Sequence, residues 1–144
     1  MDIAIDFDGT CVTHEFPKIG KDVGAVPVLR KLVENGHRLI LFTMRSDRIE
    51  NSKINDNPEI DDVYGNFLQD AIDWFDKNQI PLYGIQSNPN QGWTTSPKAY
   101  AHLYIDDAAL GCPLKYSIDN IHYELRPFVD WVEVDRMLKQ LNLY

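Results

Sequence analysis

Reactive residue types recur in this chain where apolar runs end. The first run closes with Asp6-Phe7-Asp8-Gly9-Thr10 and a second with Thr43-Met44-Arg45. A later run closes with Asp106-Asp107, and Lys98 stands in the turn ahead of it. Gathered at one edge of a sheet, these carboxylates repel one another. Such a cluster needs a cation, or its pKa values must rise. A hard divalent ion with oxygen ligands answers that need. Mg²⁺ suits a site with few carboxylates that completes its shell with phosphate and water.

Each piece also has an ordinary reading. Asp6 and Asp8 could form a solvated turn or a helix cap. Thr43 could be a β-branched strand residue. Arg45 could be a surface arginine opening a loop, and a lone His14 in a loop is commonly incidental. Asp106-Asp107 could be a surface turn. Lys98 near a helix start would be a solvated lysine, at the end of the helix dipole that disfavours cations. That conflict points to a nearby negative charge. The joint occurrence of all these residues, in this order, favours chemistry over coincidence.

The elements that must position them can be read from apolar periodicity. Residues 2–7 read as a strand stopped by the Asp8-Gly9 turn signal. Residues 24–35 place Val28, Leu29, Leu32 and Val33 at helical spacing, with Gly36 as a stop. The nearly continuous apolar run 38–43 suits a strand covered on both faces. Residues 46–62 are polar and read as loop. Residues 63–78 carry Phe67, Leu68, Ala71, Ile72 and Phe75 on one helical face. Residues 82–86 and 102–106 read as strands, and 118–125 as a last extended segment. Ser96-Pro97-Lys98 has the composition of a helix start, with Ser96 as cap and Pro97 in the first turn. Residues 127–141 read as a closing helix. Alternating strands and helices predict an α/β fold: a three-layer, Rossmann-like, mainly parallel sheet with helices on both faces. Ligands of such sheets sit at the carboxyl ends of the strands.

Length and composition agree with that picture. The chain of 144 residues has room for one domain, 1–144, and one core. Hydrophobic content of 44% with 25% charged residues argues against disorder. The opening residues read as a strand rather than a signal peptide, and no apolar run reaches the length of a bilayer span. Cys11 and Cys112 are far apart in sequence and form no disulfide framework, so a reduced cytoplasmic setting is the simpler expectation. A net charge of −8 disfavours broad nucleic-acid binding.

The Asp-x-Asp-Gly-Thr of residues 6–10, Thr43, Lys98 and Asp106-Asp107 resemble, in order, the four motifs of the haloacid dehalogenase-like (HAD) superfamily. The resemblance spans residues 2–107. It implies a Mg²⁺-dependent phosphatase in which Asp6 attacks phosphorus and forms an aspartyl-phosphate. It implies that Asp8 protonates the leaving oxygen and then activates water. Mg²⁺ would be held by the Asp6 carboxylate, the Asp8 carbonyl and Asp107, with Asp106 orienting Lys98 or a metal-bound water. Thr43 and Lys98 would hold the phosphate, Gly9 would let the backbone turn beneath it, and Arg45 is a further candidate contact.

Many members of that superfamily carry a cap domain. Between Thr10 and the first helix lie only about a dozen residues, too few for a folded module. The resemblance therefore implies a capless or minimally capped member with an open site. Such sites serve bulky phosphorylated substrates or are closed by a neighbouring subunit, so a homo-oligomer is one arrangement it implies. The polar loop 46–62 could act as a partial lid. Two alternatives come from other classes. A phospho-accepting receiver domain also combines clustered acids, a threonine and a lysine, but its acceptor aspartate ends a later strand. A catalytically silent binding protein could use the same fold.

Overall fold

The computed structural model describes residues 1–48, 64–116 and 126–144. Four parallel strands form its main sheet: β1 (Asp2–Ile5), β2 (Arg38–Leu41), β5 (Leu82–Ile85) and β6 (Leu103–Ile105). Their order in space is β5-β2-β1-β6. The chain moves outward from β1 through β2 to β5, then returns to the far side of β1 for β6. The gap between the carboxyl ends of β1 and β6 is thus a topological switch point, where sheets of this kind bind ligands.

Three helices pack on this sheet: α1 (Ala25–Glu34), α2 (Phe67–Lys77) and α3 (Trp131–Gln140). Strand side chains alternate between faces. Ile3 and Ile5 of β1, Leu39 and Leu41 of β2, and Ile105 of β6 join one apolar cluster with Leu29 and Leu32 of α1, Ala71 and Phe75 of α2, and Val134 and Leu138 of α3. All three helices therefore cover the same face. The opposite face shows Ala4 and Ile40, both buried, to the irregular segment after β5. There a Cβ on Gly84 would fall 2.3 Å from the Ser87 carbonyl and 2.9 Å from Pro89. The α/β class and the parallel sheet are as expected. The expectation of helices on both faces fails among the described residues, because a loop takes the second layer.

That loop also corrects the reading of residues 96–98. Ser96-Pro97-Lys98 starts no helix. The Gln91 side chain supplies the hydrogen bonds that a helical turn would have made. Its amide donates to the carbonyls of Ser96 and Lys98, and its oxygen accepts from the Tyr100 amide at 2.8 Å. With these groups satisfied by a side chain, the segment stays irregular and enters β6 directly.

Element ends have local causes. Gly36, at φ 80°, takes the left-handed conformation that closes α1. The first amides of α2 are capped from a distance. Asp47 lies in β3 (Asp47–Arg48), which pairs with β4 (Gly65–Asn66), and its carboxylate accepts from Leu68 and Gln69. The pairing of Gly65–Asn66 delays this helix relative to the expected start at 63. The closing helix likewise begins later than 127, because β8 (Phe128–Val129) pairs with β7 (Leu114–Lys115) and Asp130 then caps α3. The expected extended segment 118–125 and most of the loop 46–62 lie outside the described residues. None of the described helices is long and apolar enough to cross a membrane. Cys11 and Cys112 are both free.

Phe75 is fully buried and packs against the rings of Phe7 and Trp74. Phe75→Ala is expected to cost about 3–5 kcal/mol of stability. Urea unfolding of the two proteins side by side measures it.

Candidate active site

The site grows from the turn after β1. The Asp6 amide donates to the Ile105 carbonyl at 3.0 Å, continuing the β1–β6 ladder one residue past the strand. In that register Ile5 lies beside Ile105, so Asp6 emerges beside Asp106. Carboxylate oxygens of Asp6, Asp106 and Asp107 all lie within 4.8 Å of one another. This acidic triad could hold a metal ion. Its donor set, all carboxylate oxygen, is that of a hard divalent cation.

The electrostatics carry the mark of that crowding. Burial pushes the Asp6 carboxyl up to about 7, and the charges of Asp106 and Asp107 push the same way. Hydrogen bonds from the Phe7 amide and the Thr10 hydroxyl oppose the rise without cancelling it. The triad thus favours either a proton on Asp6 or an added positive charge.

Thr10 is the hub of this arrangement, a role its local sequence does not announce. Its buried hydroxyl donates to Asp6 Oδ2 at 3.3 Å and accepts from the Asp107 amide at 3.1 Å. Its carbonyl accepts from the Trp131 indole at 2.7 Å. The Gly9 carbonyl accepts from the Val129 amide at 2.9 Å. β8 and the first residue of α3 therefore clamp the loop that carries the first two aspartates. Gly9 has φ 80°, and a Cβ there would lie 2.0 Å from His14 Nε2 and 2.8 Å from Asp107 Cγ. Only glycine leaves room for those side chains at this turn.

Arg45 and Asp8 form the second half of the site. Arg45 Nε donates to Asp8 Oδ2 at 2.7 Å and Nη2 to Oδ1 at 2.8 Å, a two-pronged grip. The guanidinium is buried, which overturns the ordinary reading of a surface arginine. It also donates to the carbonyls of Pro17, Lys18 and Phe67, and lies 5.1 Å from the ring centres of Phe7 and Phe16. These partners commit Arg45 to the protein. Thr43 stands beside it. The Thr43 hydroxyl accepts from the Arg45 amide at 3.2 Å and keeps its own hydrogen to donate. Gln86, another residue with no local signal in the sequence, pins this turn. Its side-chain amide bonds the Thr43 N–H and both the Thr43 and Arg45 carbonyls.

A cavity of about 370 Å³ opens over these groups. Asp6, Asp8, Thr43, Arg45, Asp106 and Asp107 line it, together with His14, Phe16, Met44, Ala108 and Arg126. Lys98 is not among the lining residues. Its ammonium lies over the Tyr104 ring, 5.3 Å from the centre. The structure thus brings together the expected residues from three of the four strand-end stretches and leaves Lys98 outside the cavity. Arg126, which is 66% exposed and 3.6 Å from Asp107, supplies a cation there instead.

No family model and no curated protein matches the chain. Among solved structures, it is similar to a conserved protein from Bacteroides thetaiotaomicron at 29% identity and a TM-score of 0.68. The match covers 98% of this chain and 91% of that one. The likeness runs over nearly the whole fold and brings no activity with it.

This geometry makes two outcomes measurable. Arg45 sits with one carboxylate partner in a buried position, so Arg45→Met leaves Asp8 without its guanidinium. Breaking such a pair is expected to cost about 3–5 kcal/mol. Arg45→Lys should recover little of it, since a lysine cannot span both oxygens; chemical denaturation reads both. The second outcome concerns pH. A carboxyl raised to about 7 in the fold, from 3.8 when unfolded, holds its proton longer in the folded state. Its contribution is therefore present at low pH and lost as pH rises through 7. In protein stripped with a chelator, Asp6→Asn is expected to raise the melting temperature at pH 8, with the gain shrinking towards pH 4. An equal gain at both values would show that Asp6 is not the titrating group.

Proposed function

We propose that this protein is a Mg²⁺-dependent phosphatase of the HAD-like type, with a Rossmann-like fold, that hydrolyses phosphomonoesters through an aspartyl-phosphate on Asp6. The observation that carries the reading is the convergence of Asp6, Asp106 and Asp107 within 4.8 Å at the β1–β6 switch point, with Asp8 and Thr43 lining the same cavity. The Asp-x-Asp-Gly-Thr motif, Thr43 and the acidic pair occur in the order that the superfamily uses.

The metal fits the donors present. Asp6, Asp107 and the Asp8 carbonyl would hold it. Asp106 is close enough to serve as a further ligand or to orient a water. Bound Mg²⁺ supplies charge neutralisation between an anionic nucleophile and an anionic phosphate.

The chain's own residues account for the rest. Asp6 Oδ2 is oriented by the Thr10 hydroxyl, and the raised pKa of the carboxyl reflects how strongly a positive charge is wanted beside it. Attack by Asp6 on phosphorus splits one difficult displacement into two easier ones. Thr43 turns a free hydroxyl hydrogen towards phosphate oxygens. Asp8 moves the proton, to the leaving oxygen first and from the attacking water second, a contribution typically worth about 10²–10⁴-fold. Lys98 would have to leave the Tyr104 ring to reach a phosphate, whereas Arg126 already lines the cavity. The open mouth, with exposed Phe16 and Met44, leaves the rest of the substrate in contact with few side chains.

Phosphate release from an aryl phosphate is expected to require Mg²⁺ and to vanish in Asp6→Asn and with excess chelator. A panel of phosphorylated metabolites, each assayed with and without Mg²⁺, tests the proposal. Release that persists in Asp6→Asn would overturn the nucleophile. Absence of release across the panel would overturn the class.

A further inference from the structure

His14 lies in the loop after the Asp-x-Asp-Gly-Thr turn, and none of the functional roles above uses it. Its Nε2 is 3.0 Å from Asp107 Oδ2. Both side chains are largely withdrawn from water, at 15% and 8% exposure. A carboxylate oxygen only accepts, so Nε2 carries the hydrogen of this bond. The ring sits where a side chain on residue 9 would have been, and the absence of one at Gly9 is what admits it.

The acidic residue is thereby fixed at two points. Thr10 accepts from its main-chain amide, and His14 holds one oxygen of its side chain. Arg126 approaches the same oxygen only to 3.6 Å, from a side chain that is 66% exposed. A carboxylate tied through Oδ2 has a defined rotation, and it is held in this way within 4.8 Å of the carboxylate oxygens of Asp6 and Asp106. A carboxylate left free would rotate, driven away from its two like-charged neighbours by Coulomb repulsion. Carboxylates that ligate metals are held in this way by an outer layer of hydrogen-bond donors. Removing such a donor typically costs about 10–100-fold in metal affinity.

We infer that His14 is a positioning residue for the cation site, holding Asp107 in its ligating orientation through the Nε2–Oδ2 hydrogen bond. The inference rests on the metal-binding part of the function proposed above, and it assigns His14 no contact with substrate.

Calorimetric titration of Mg²⁺ into chelator-stripped, full-length protein tests it without any turnover assay. His14→Ala is expected to weaken Mg²⁺ binding about 10–100-fold. His14→Leu, which fills much of the same volume without a donor, should match it. His14→Gln, which restores an N–H donor, should recover most of the affinity. Arg126→Ala should not weaken binding, because it removes a positive charge. Unchanged affinity in both His14→Ala and His14→Leu would overturn the inference. So would equal loss in His14→Gln, which would show that the donor is not the cause. Melting curves of the metal-free variants identify any that do not fold, and the remaining ones decide. If wild-type protein binds no Mg²⁺, the metal reading falls and this inference with it. If it binds Mg²⁺ but releases no phosphate from any ester, only the phosphatase reading falls.

Discussion

Two adjacent parallel strands that run in register must deliver their next residues to the same place. Here Ile5 lies beside Ile105, and the next residues are Asp6 on one strand and Asp106-Asp107 on the other. The sheet's hydrogen bonds and its apolar face decide this register, and the carboxylates have no say in it. A slip of one residue would turn Ile3 and Ile5 out of the core. Like charges are therefore held together by a framework that cannot relax to separate them. Burial first, and the charges of Asp106 and Asp107 after it, raise the pKa of Asp6, and the neighbouring polar groups serve to contain the crowding. Thr10 bridges two of the three acidic residues, His14 ties one side-chain oxygen of Asp107, and Arg126 approaches from solvent. An arrangement that needs so many restraints to hold unfavourable charges is a common form for a functional site.

Asp8 is kept out of this crowd by a different device. It stands two residues after Asp6, yet its carboxylate is taken by the buried Arg45. Phe7 between them points into the core, where it meets Trp74 and Phe75. A buried guanidinium carries a large desolvation cost unless its donors are satisfied. Arg45 meets that condition with one carboxylate and three backbone carbonyls, drawn from the loop at 17–18 and the start of α2. One side chain thereby joins the turn after β1, the turn after β2 and the first residue of α2. Its removal would therefore disturb all of these segments at once.

Much of this was legible in the sequence, and the division between legible and hidden is one of contact range. The apolar runs located β1, β2, β5, β6 and the helices α1 and α2 to within a few residues, because burial on one face is written locally. The acidic pairs were visible for the same reason: they stand where apolar runs stop. The hidden features depend on partners far along the chain. Thr10 meets Asp107 across 97 positions, His14 meets the same residue across 93, and Gln86 meets Thr43 across 43. Ser96-Pro97 has a helix-start composition, but Gln91 satisfies the backbone first. Order along the chain and the apparent helix start point Lys98 to the site, but no helix forms there and its side chain rests over Tyr104. The layer on the sheet's second face is hidden because continuous apolar runs announce that a strand is covered without saying by what.

The grip of Arg45 on Asp8 constrains any mechanism that asks Asp8 to move protons. Both Asp8 oxygens accept from the guanidinium, so a hydrogen carried towards a leaving group would use the remaining lone pair of one of them. A proton there weakens that oxygen as an acceptor, and one of the two bonds would loosen. Arg45 is the less mobile partner, since its remaining donors are anchored to backbone on two other segments and its own backbone is held by Gln86 and Thr43. Asp8 is the partner at the cavity, with its side chain 18% exposed against 1% for Arg45. The movement therefore belongs to the carboxylate. A rotation that releases one oxygen to the cavity keeps the other on the arginine, so a charge-assisted hydrogen bond persists through the change. Any proton transfer by Asp8 would then be coupled to a side-chain rotation within a fixed frame, and the frame is the buried arginine.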